Sequence, residues 1–192
     1  MSVSRACLIS LLFSLLVYGL PLHGETVDER LYRTLHDAYR SPWMDTLMEQ
    51  TTDLGGTRMN LFLCTVLATY GSTYDQETAK LTFTSLAATA AVAAGLKWAV
   101  GRPRPEGKTD RRNSSFPSAH AAAAFSTATL LAHRYPRYRL IYYAVASMIS
   151  FSRIYLGRHY PSDVIAGGMI GYFGSKGVLR LQHDILALQF RF

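Results

Sequence analysis

Cysteine is nearly absent: the 192 residues hold two, Cys7 and Cys64, both inside apolar segments. No disulfide framework can be built from them, which excludes the small cross-linked folds, and Cys64 reads as a small buried hydrophobe. Alternation of apolar and polar residues is nearly missing too, which excludes a strand-built sandwich as the main architecture. Internal repeats are absent. Acidic residues are scarce in one half of the chain: residues 97–192 carry four Asp/Glu against fourteen Lys/Arg, a net of +10, whereas residues 1–96 carry nine against six, a net of −3. The formal charge of +7 therefore belongs to the second half, and such a balance asks for an anionic partner. A lipid headgroup or a phosphorylated small molecule suits it. Nucleic acid does not, because the arginines are separated by apolar helices instead of lining one polar face.

What is present is helical periodicity broken by short polar stretches. Residues 1–24 place one Arg before an apolar run, Ala6 to Val17, followed by small and turn residues. That layout is a secretory signal cleaved after Gly24, or an uncleaved first transmembrane helix; either way Glu25 onward starts outside the cytoplasm. The segment from Asp28 to Gly56 reads as one or two amphipathic helices, broken by Ser41-Pro42 and ended by Gly55-Gly56. Apolar helices follow at about 58–71, 78–100, 117–133, 139–153 and 162–181. The expected architecture is all-α: a bundle of five or six apolar helices forming one domain over residues 25–181, with residues 182–192 as a tail that is a frayed end or a short strand.

Only the 78–100 segment approaches a full spanning length, and the mean hydropathy of +0.07 is low for a polytopic protein. Charge placement supports membrane spans. With Glu25 outside and one crossing per helix, His133-Arg-Tyr-Pro-Arg-Tyr-Arg139 falls in the cytoplasm, as the bias of Lys and Arg toward that side requires. The alternative is a soluble periplasmic bundle burying the same helices in one core. Oligomeric state leaves no trace in the sequence.

Three charged clusters interrupt the apolar helices of the second half. Residues 97–112, KWAVGRPRPEGKTDRR, hold six Lys/Arg against two acids. Two Arg-Pro pairs force an extended path there, because a residue before proline is pushed out of the helical region. In NSSFPSAHAAAAF, Pro117 and Ser118 stand at a helix start with His120 in the first turn, where free amides and the dipole favour an anion. In SRIYLGRHYPSD, Tyr160-Pro161-Ser162 repeats the helix-opening pattern of Phe116-Pro117-Ser118. His159 precedes it, and Asp163 follows four residues later, within reach of the imidazole. A carboxylate there would fix one ring nitrogen as N–H and free the other to attack. An even crossing pattern brings the clusters to one end of the bundle. Several cations, two histidines, a helix N-terminus and a carboxylate, without metal-ligand spacing, suit phosphoryl transfer that needs no metal or other cofactor. Guanidinium forks and amides hold the equatorial oxygens, one His attacks phosphorus and the other protonates the leaving oxygen.

These residues resemble the signature of the type 2 phosphatidic acid phosphatase superfamily, which includes membrane lipid phosphate phosphatases, bacterial class A acid phosphatases and vanadium haloperoxidases. Lys97 to Arg104-Pro105, then Pro117-Ser118-Ala119-His120, then Ser152-Arg153 to His159 to Asp163 match its three parts in spacing. The resemblance implies His159 as nucleophile forming a phosphohistidine, Asp163 orienting it, and His120 as acid toward the leaving group and later base toward water. Lys97, Arg104, Arg153, Ser118 and the amide of Ala119 would bind the phosphate. Ala119 stands where the family usually has Gly; as a first-turn helical residue it is harmless, whereas a positive φ would cost about 1 kcal/mol. Arg102 and Arg158 lie outside the signature and read first as exposed charges, with secondary phosphate or headgroup contacts as the alternative. The implied activity is hydrolysis of a phosphate monoester or diphosphate, foremost of a lipid, at the periplasmic face of an inner membrane. A soluble periplasmic acid phosphatase is the runner-up, ahead of a vanadium-dependent haloperoxidase and a non-catalytic scaffold.

Overall fold

Proline, glycine and short capping side chains cut the chain into helices close to where the pattern places them. The computed structural model describes residues 26–38, 40–107 and 113–187. The expectations for residues 1–24, the end of the tail, and Lys108, Arg111 and Arg112 lie outside them. Helix α1, Val27–Asp37, opens on a capping box in which Thr26 and Glu29 serve each other's backbone N–H. Helix α2, Pro42–Leu54, starts with Pro42 in its first turn and gives way at Gly55. Helix α3 is Thr57–Tyr70, and α4, Thr73–Val100, opens on a second box between Ser72 and Asp75. Gly101 ends α4 in the left-handed region at φ 63°, with its N–H on the Lys97 carbonyl. Helix α5, Ala119–Arg134, is followed by a 3₁₀ turn at Pro136–Tyr138, then α6, Arg139–Tyr155, and α7, Pro161–Arg180. The described residues contain no strand. Residues 182–187 of the tail form a short helix, α8, whose Ile185 and Leu186 pack on Leu81, Leu130, Val178 and Leu179.

Helix α5 is the axis of the bundle, packed against α4, α6 and α7. Its seam with α7 is closed by glycine: a Cβ on Gly167 would meet the Ser118 carbonyl oxygen at 2.3 Å, and one on Gly171 the Ala122 carbonyl oxygen at 2.2 Å. Small residues here let two backbones touch. Where α4, α5 and α7 cross, Ser85, Ser126 and Ser175 bond to one another at 2.8 to 3.1 Å. The interior is thus mostly small and hydroxyl-bearing.

Large apolar side chains face outward: Phe83, Val92 and Trp98 on α4, Leu140, Ile141 and Met148 on α6, Ile165, Met169 and Phe173 on α7. Among the described residues, α4 is long and apolar enough to cross a membrane, with a window of mean hydropathy 1.3 of which 17% is buried. Helices α4 and α6 end, and α5 and α7 begin, at one end of the bundle, where α1 and α2 also pack. Arg134, Arg137 and Arg139 occupy the opposite end. There Arg134 is locked by Thr78 at 2.8 Å, Glu77 at 3.0 Å and the Tyr74 ring at 3.5 Å.

Candidate active site

The end of α4 and the extended Arg-Pro path form one wall of the site. Lys97, in the last turn of α4, donates from Nζ to the Ser114 carbonyl. Arg104 spreads its guanidinium over Asn113, at 3.1 Å from the carbonyl and 2.6 Å from Oδ1, and reaches the Arg158 carbonyl at 3.4 Å. The path is tied back by the Ser115 N–H donating to the Arg102 carbonyl at 2.7 Å.

The start of α5 supplies the second wall. Ser118 caps the helix, accepting from the Ala121 N–H, and its own N–H donates to the Asp163 carbonyl at 2.9 Å. That leaves the amides of Ala119 and His120 without an intrahelical acceptor at the positive end of the dipole. No residue other than glycine has a positive φ among the described residues, so Ala119 sits in ordinary helical backbone and its methyl group introduces no strain. His120 is half-buried, within electrostatic range of Arg153, His159, Arg104 and Lys97.

The third wall is the turn between α6 and α7. Arg153 is buried in the last turn of α6. Its Nη1 donates to the Thr52 hydroxyl at 2.8 Å, while its Nε is buried with no hydrogen-bond acceptor. Such a donor is costly unless something anionic meets it. The Arg153 carbonyl also caps the turn, accepting from the N–H groups of Arg158 at 3.0 Å and His159 at 3.2 Å, with Gly157 at φ 71° making the reversal.

His159 is 2% exposed, and its Nδ1 lies 2.7 Å from the Ser115 carbonyl oxygen. A carbonyl only accepts, so Nδ1 carries the proton and Nε2 keeps its lone pair. Burial above all, with the positive charges of Arg153 and Lys97, brings the imidazole down to about 4, against the pull of Asp163. The ring is neutral at neutral pH.

Asp163, fully buried in the first turn of α7, was expected to orient that ring directly. The two stand 3.8 Å apart, too far for a hydrogen bond. Oδ2 instead accepts from the Tyr160 N–H at 2.8 Å and from the Ser115 hydroxyl, while Oδ1 takes Arg102 at 2.8 Å. Asp163 is therefore linked to His159 through Ser115. Arg102, read from the sequence as an exposed charge, has a side chain only 14% exposed and grips Asp163 and Asp28. Arg158 is the exposed one, in an ion pair with Glu106 at 3.4 Å.

The eight signature residues are thus gathered at one end of the bundle. The sequence reading missed Asp28, Thr52 and Ser115. Ser115 has a near-neighbour signal in the cluster before Pro117; the other two come from helices far away in the chain. Among the described residues, no three His, Cys, Asp or Glu side chains converge as a metal site.

The profile of a family described as the PAP2 superfamily matches residues 78–186. The chain is 42% identical over 79 residues to a lipid A 1-phosphatase of Porphyromonas gingivalis, covering 39% of this chain and 17% of that protein. It is 35% identical over 101 residues to a lipid A 1-phosphatase of Rhizobium etli, covering 46% and 44%. A lipid A 4'-phosphatase of Bacteroides thetaiotaomicron is 39% identical over 74 residues, covering 38% and 33%. The chain spans less than half the length of these curated relatives. Among solved structures, Aquifex aeolicus LpxE aligns with a TM-score of 0.72 at 26% identity, over 83% of this chain and 98% of that one. A transmembrane PAP2 type phosphatidylglycerolphosphate phosphatase of Bacillus subtilis aligns with a TM-score of 0.70 at 22% identity, over 96% and 98%, a likeness of fold.

Proposed function

The chain belongs to the PAP2 superfamily, and from that premise we propose that it hydrolyses the phosphate of a membrane lipid through a phosphohistidine. The observation that carries the reading is His159. It is a neutral imidazole whose Nδ1 proton is committed to Ser115, set among Lys97, Arg104 and Arg153, the last with a buried unpartnered Nε.

In the first step Nε2 of His159 attacks phosphorus, and the bond to the leaving oxygen breaks as His120 delivers a proton to it. Lys97, Arg104 and Arg153, with the Ser118 hydroxyl and the amides of Ala119 and His120, hold the three equatorial oxygens as charge spreads over them. His120 is left as a base. In the second step it takes a proton from water, whose oxygen attacks the phosphohistidine and releases inorganic phosphate.

A lipid substrate follows from the surface. Large apolar side chains facing outward around a core of alanine, serine and glycine suit a hydrocarbon surround better than water. The basic Arg134 to Arg139 segment lies at the end opposite the site, and the bias of positive charge toward the cytoplasm supports a site on the periplasmic face of the inner membrane. Lipid A phosphates and phosphatidylglycerophosphate, for which the relatives and fold neighbours are named, are the first substrates to test. The catalytic unit is taken to begin near residue 25, after the signal or first span, and to include α8. Full-length protein in detergent, mixed with lipid A or phosphatidylglycerophosphate carrying ³²P in the scissile phosphate and quenched, traps label on histidine in the wild type and none in His159→Ala. Label retained by that variant refutes the nucleophile assignment.

A further inference from the structure

Arg102 lies outside the three-part signature, yet its guanidinium makes three hydrogen bonds to side chains of the α1 and α7 openings. Nη1 donates to Asp163 Oδ1 and to the Ser162 hydroxyl, each at 2.8 Å, and Nη2 to Asp28 Oδ2 at 2.7 Å. The plane lies 4.1 Å over the Tyr160 ring. Asp28 in turn accepts from the Ser162 N–H at 3.0 Å and from its hydroxyl at 2.5 Å. Through its backbone carbonyl, Arg102 also holds the Ser115 N–H. One residue thus holds Asp163 by its side chain and Ser115 by its main chain, the two groups between which the orientation of His159 is set.

We propose that Asp28 and Arg102 are positioning residues for His159: Asp28 commits the guanidinium to Asp163, and the pair fixes Asp163 and Ser115 so that the imidazole presents Nε2 to phosphorus. The inference rests on the phosphatase reading above. A fully buried carboxylate needs a paired charge, and Arg102 supplies it. In a site built to bind phosphate, an uncommitted arginine would turn to the substrate instead; the second carboxylate, on α1, removes that option. Helix α1 is suited to the task because it is fastened beside the turn, His36 Nδ1 lying 2.7 Å from the Tyr155 carbonyl and the Tyr32 ring packing edge-on against Tyr160.

The test uses the full chain in detergent with lipid A and with phosphatidylglycerophosphate in mixed micelles, and compares Asp28→Asn, Arg102→Lys, Arg102→Met and the double variant Asp28→Asn/Arg102→Met. Expected losses in kcat are about tenfold for Asp28→Asn and on the order of a hundredfold for Arg102→Met, as for a misplaced reacting group. KM and inhibition by inorganic phosphate stay near wild type, because Lys97, Arg104 and Arg153 are untouched. The double variant is no slower than Arg102→Met, since both act through one path. Arg102→Lys recovers part of the loss, because an ammonium serves one carboxylate and not a fork of two. The acid limb of kcat/KM moves to higher pH in Arg102→Met: the Asp163 charge then acts uncompensated on His159, while Lys97 of α4, His120 of α5 and Arg153 of α6 remain in place. A purely structural role would not move that limb.

Unchanged kcat in Asp28→Asn and Arg102→Met, additive losses, or phosphate inhibition lost in step with kcat overturns the proposal. If Arg102→Met does not fold, Asp28→Asn decides, since it keeps Arg102 and the Thr26–Glu29 cap. A wild type that releases no phosphate takes down the phosphatase reading and this inference together; an active wild type with indifferent variants takes down this inference alone.

Discussion

Oδ2 of Asp163 and Nδ1 of His159 stand 3.8 Å apart, with the Ser115 hydroxyl and carbonyl bridging the carboxylate to the ring. Removing the Ser115 hydroxyl cuts that bridge and leaves the carbonyl. Ser115→Ala should lower kcat by about 1 to 3 kcal/mol of transition-state stabilisation, the range for a hydrogen bond to a charged group, with KM little changed. Asp163→Asn should cost more, since it also removes one of the two carboxylates that Arg102 holds. Were Ser115→Ala indistinguishable from wild type, the bridge would carry nothing.

The acid limb of activity belongs to His159. Only the neutral imidazole attacks, and burial with two nearby cations brings the group down to about 4. The sign follows: kcat/KM rises as pH increases through about 4 and does not fall again from this group at higher pH. A limb at the ordinary imidazole value would contradict the burial described here. Arg153→Met removes one of the repelling charges, so its limb should shift upward.

Helix contact through glycine gives a prediction about stability. Gly171→Ala forces a methyl group against the Ala122 carbonyl oxygen at 2.2 Å and the Ser126 nitrogen at 2.8 Å, both backbone atoms that cannot swing away. Overpacking of this kind costs about 1 to 3 kcal/mol. Gly177→Ala, in the same helix with nothing within 4 Å, should instead gain up to about 1 kcal/mol from helix propensity. Thermal unfolding in detergent compares the two, and equal shifts would mean that the seam is looser than drawn.

Membrane residence is read by fractionation. The outward apolar faces of α4, α6 and α7 predict that the protein stays with carbonate-washed membranes and needs detergent for extraction. Recovery in the soluble periplasmic fraction would favour the acid-phosphatase alternative.

The helices were legible because their ends are written in local chemistry. Ser41-Pro42, Gly55-Gly56, Ser118 and Tyr160-Pro161 each stop or start a helix for reasons a few residues long, whereas the capping box of Ser72 and Asp75 opens α4 at Thr73, ahead of the expected start at 78. The eight signature residues were legible because their fixed spacing spans consecutive helix ends. The partner of His159 was not, because sequence separation of four suggested Asp163 and only tertiary packing brings the Ser115 carbonyl closer. Arg102 was misread for a related reason: its burial depends on Asp28, contributed from another helix early in the chain.

The N–H of Ser118 bonds to the Asp163 carbonyl, and Gly167 backs onto the Ser118 carbonyl, so the openings of α5 and α7 are joined main chain to main chain. His120 and Asp163, the proton donor and the carboxylate of the proposed mechanism, are thereby mounted on a single jig whose spacing does not depend on any side chain.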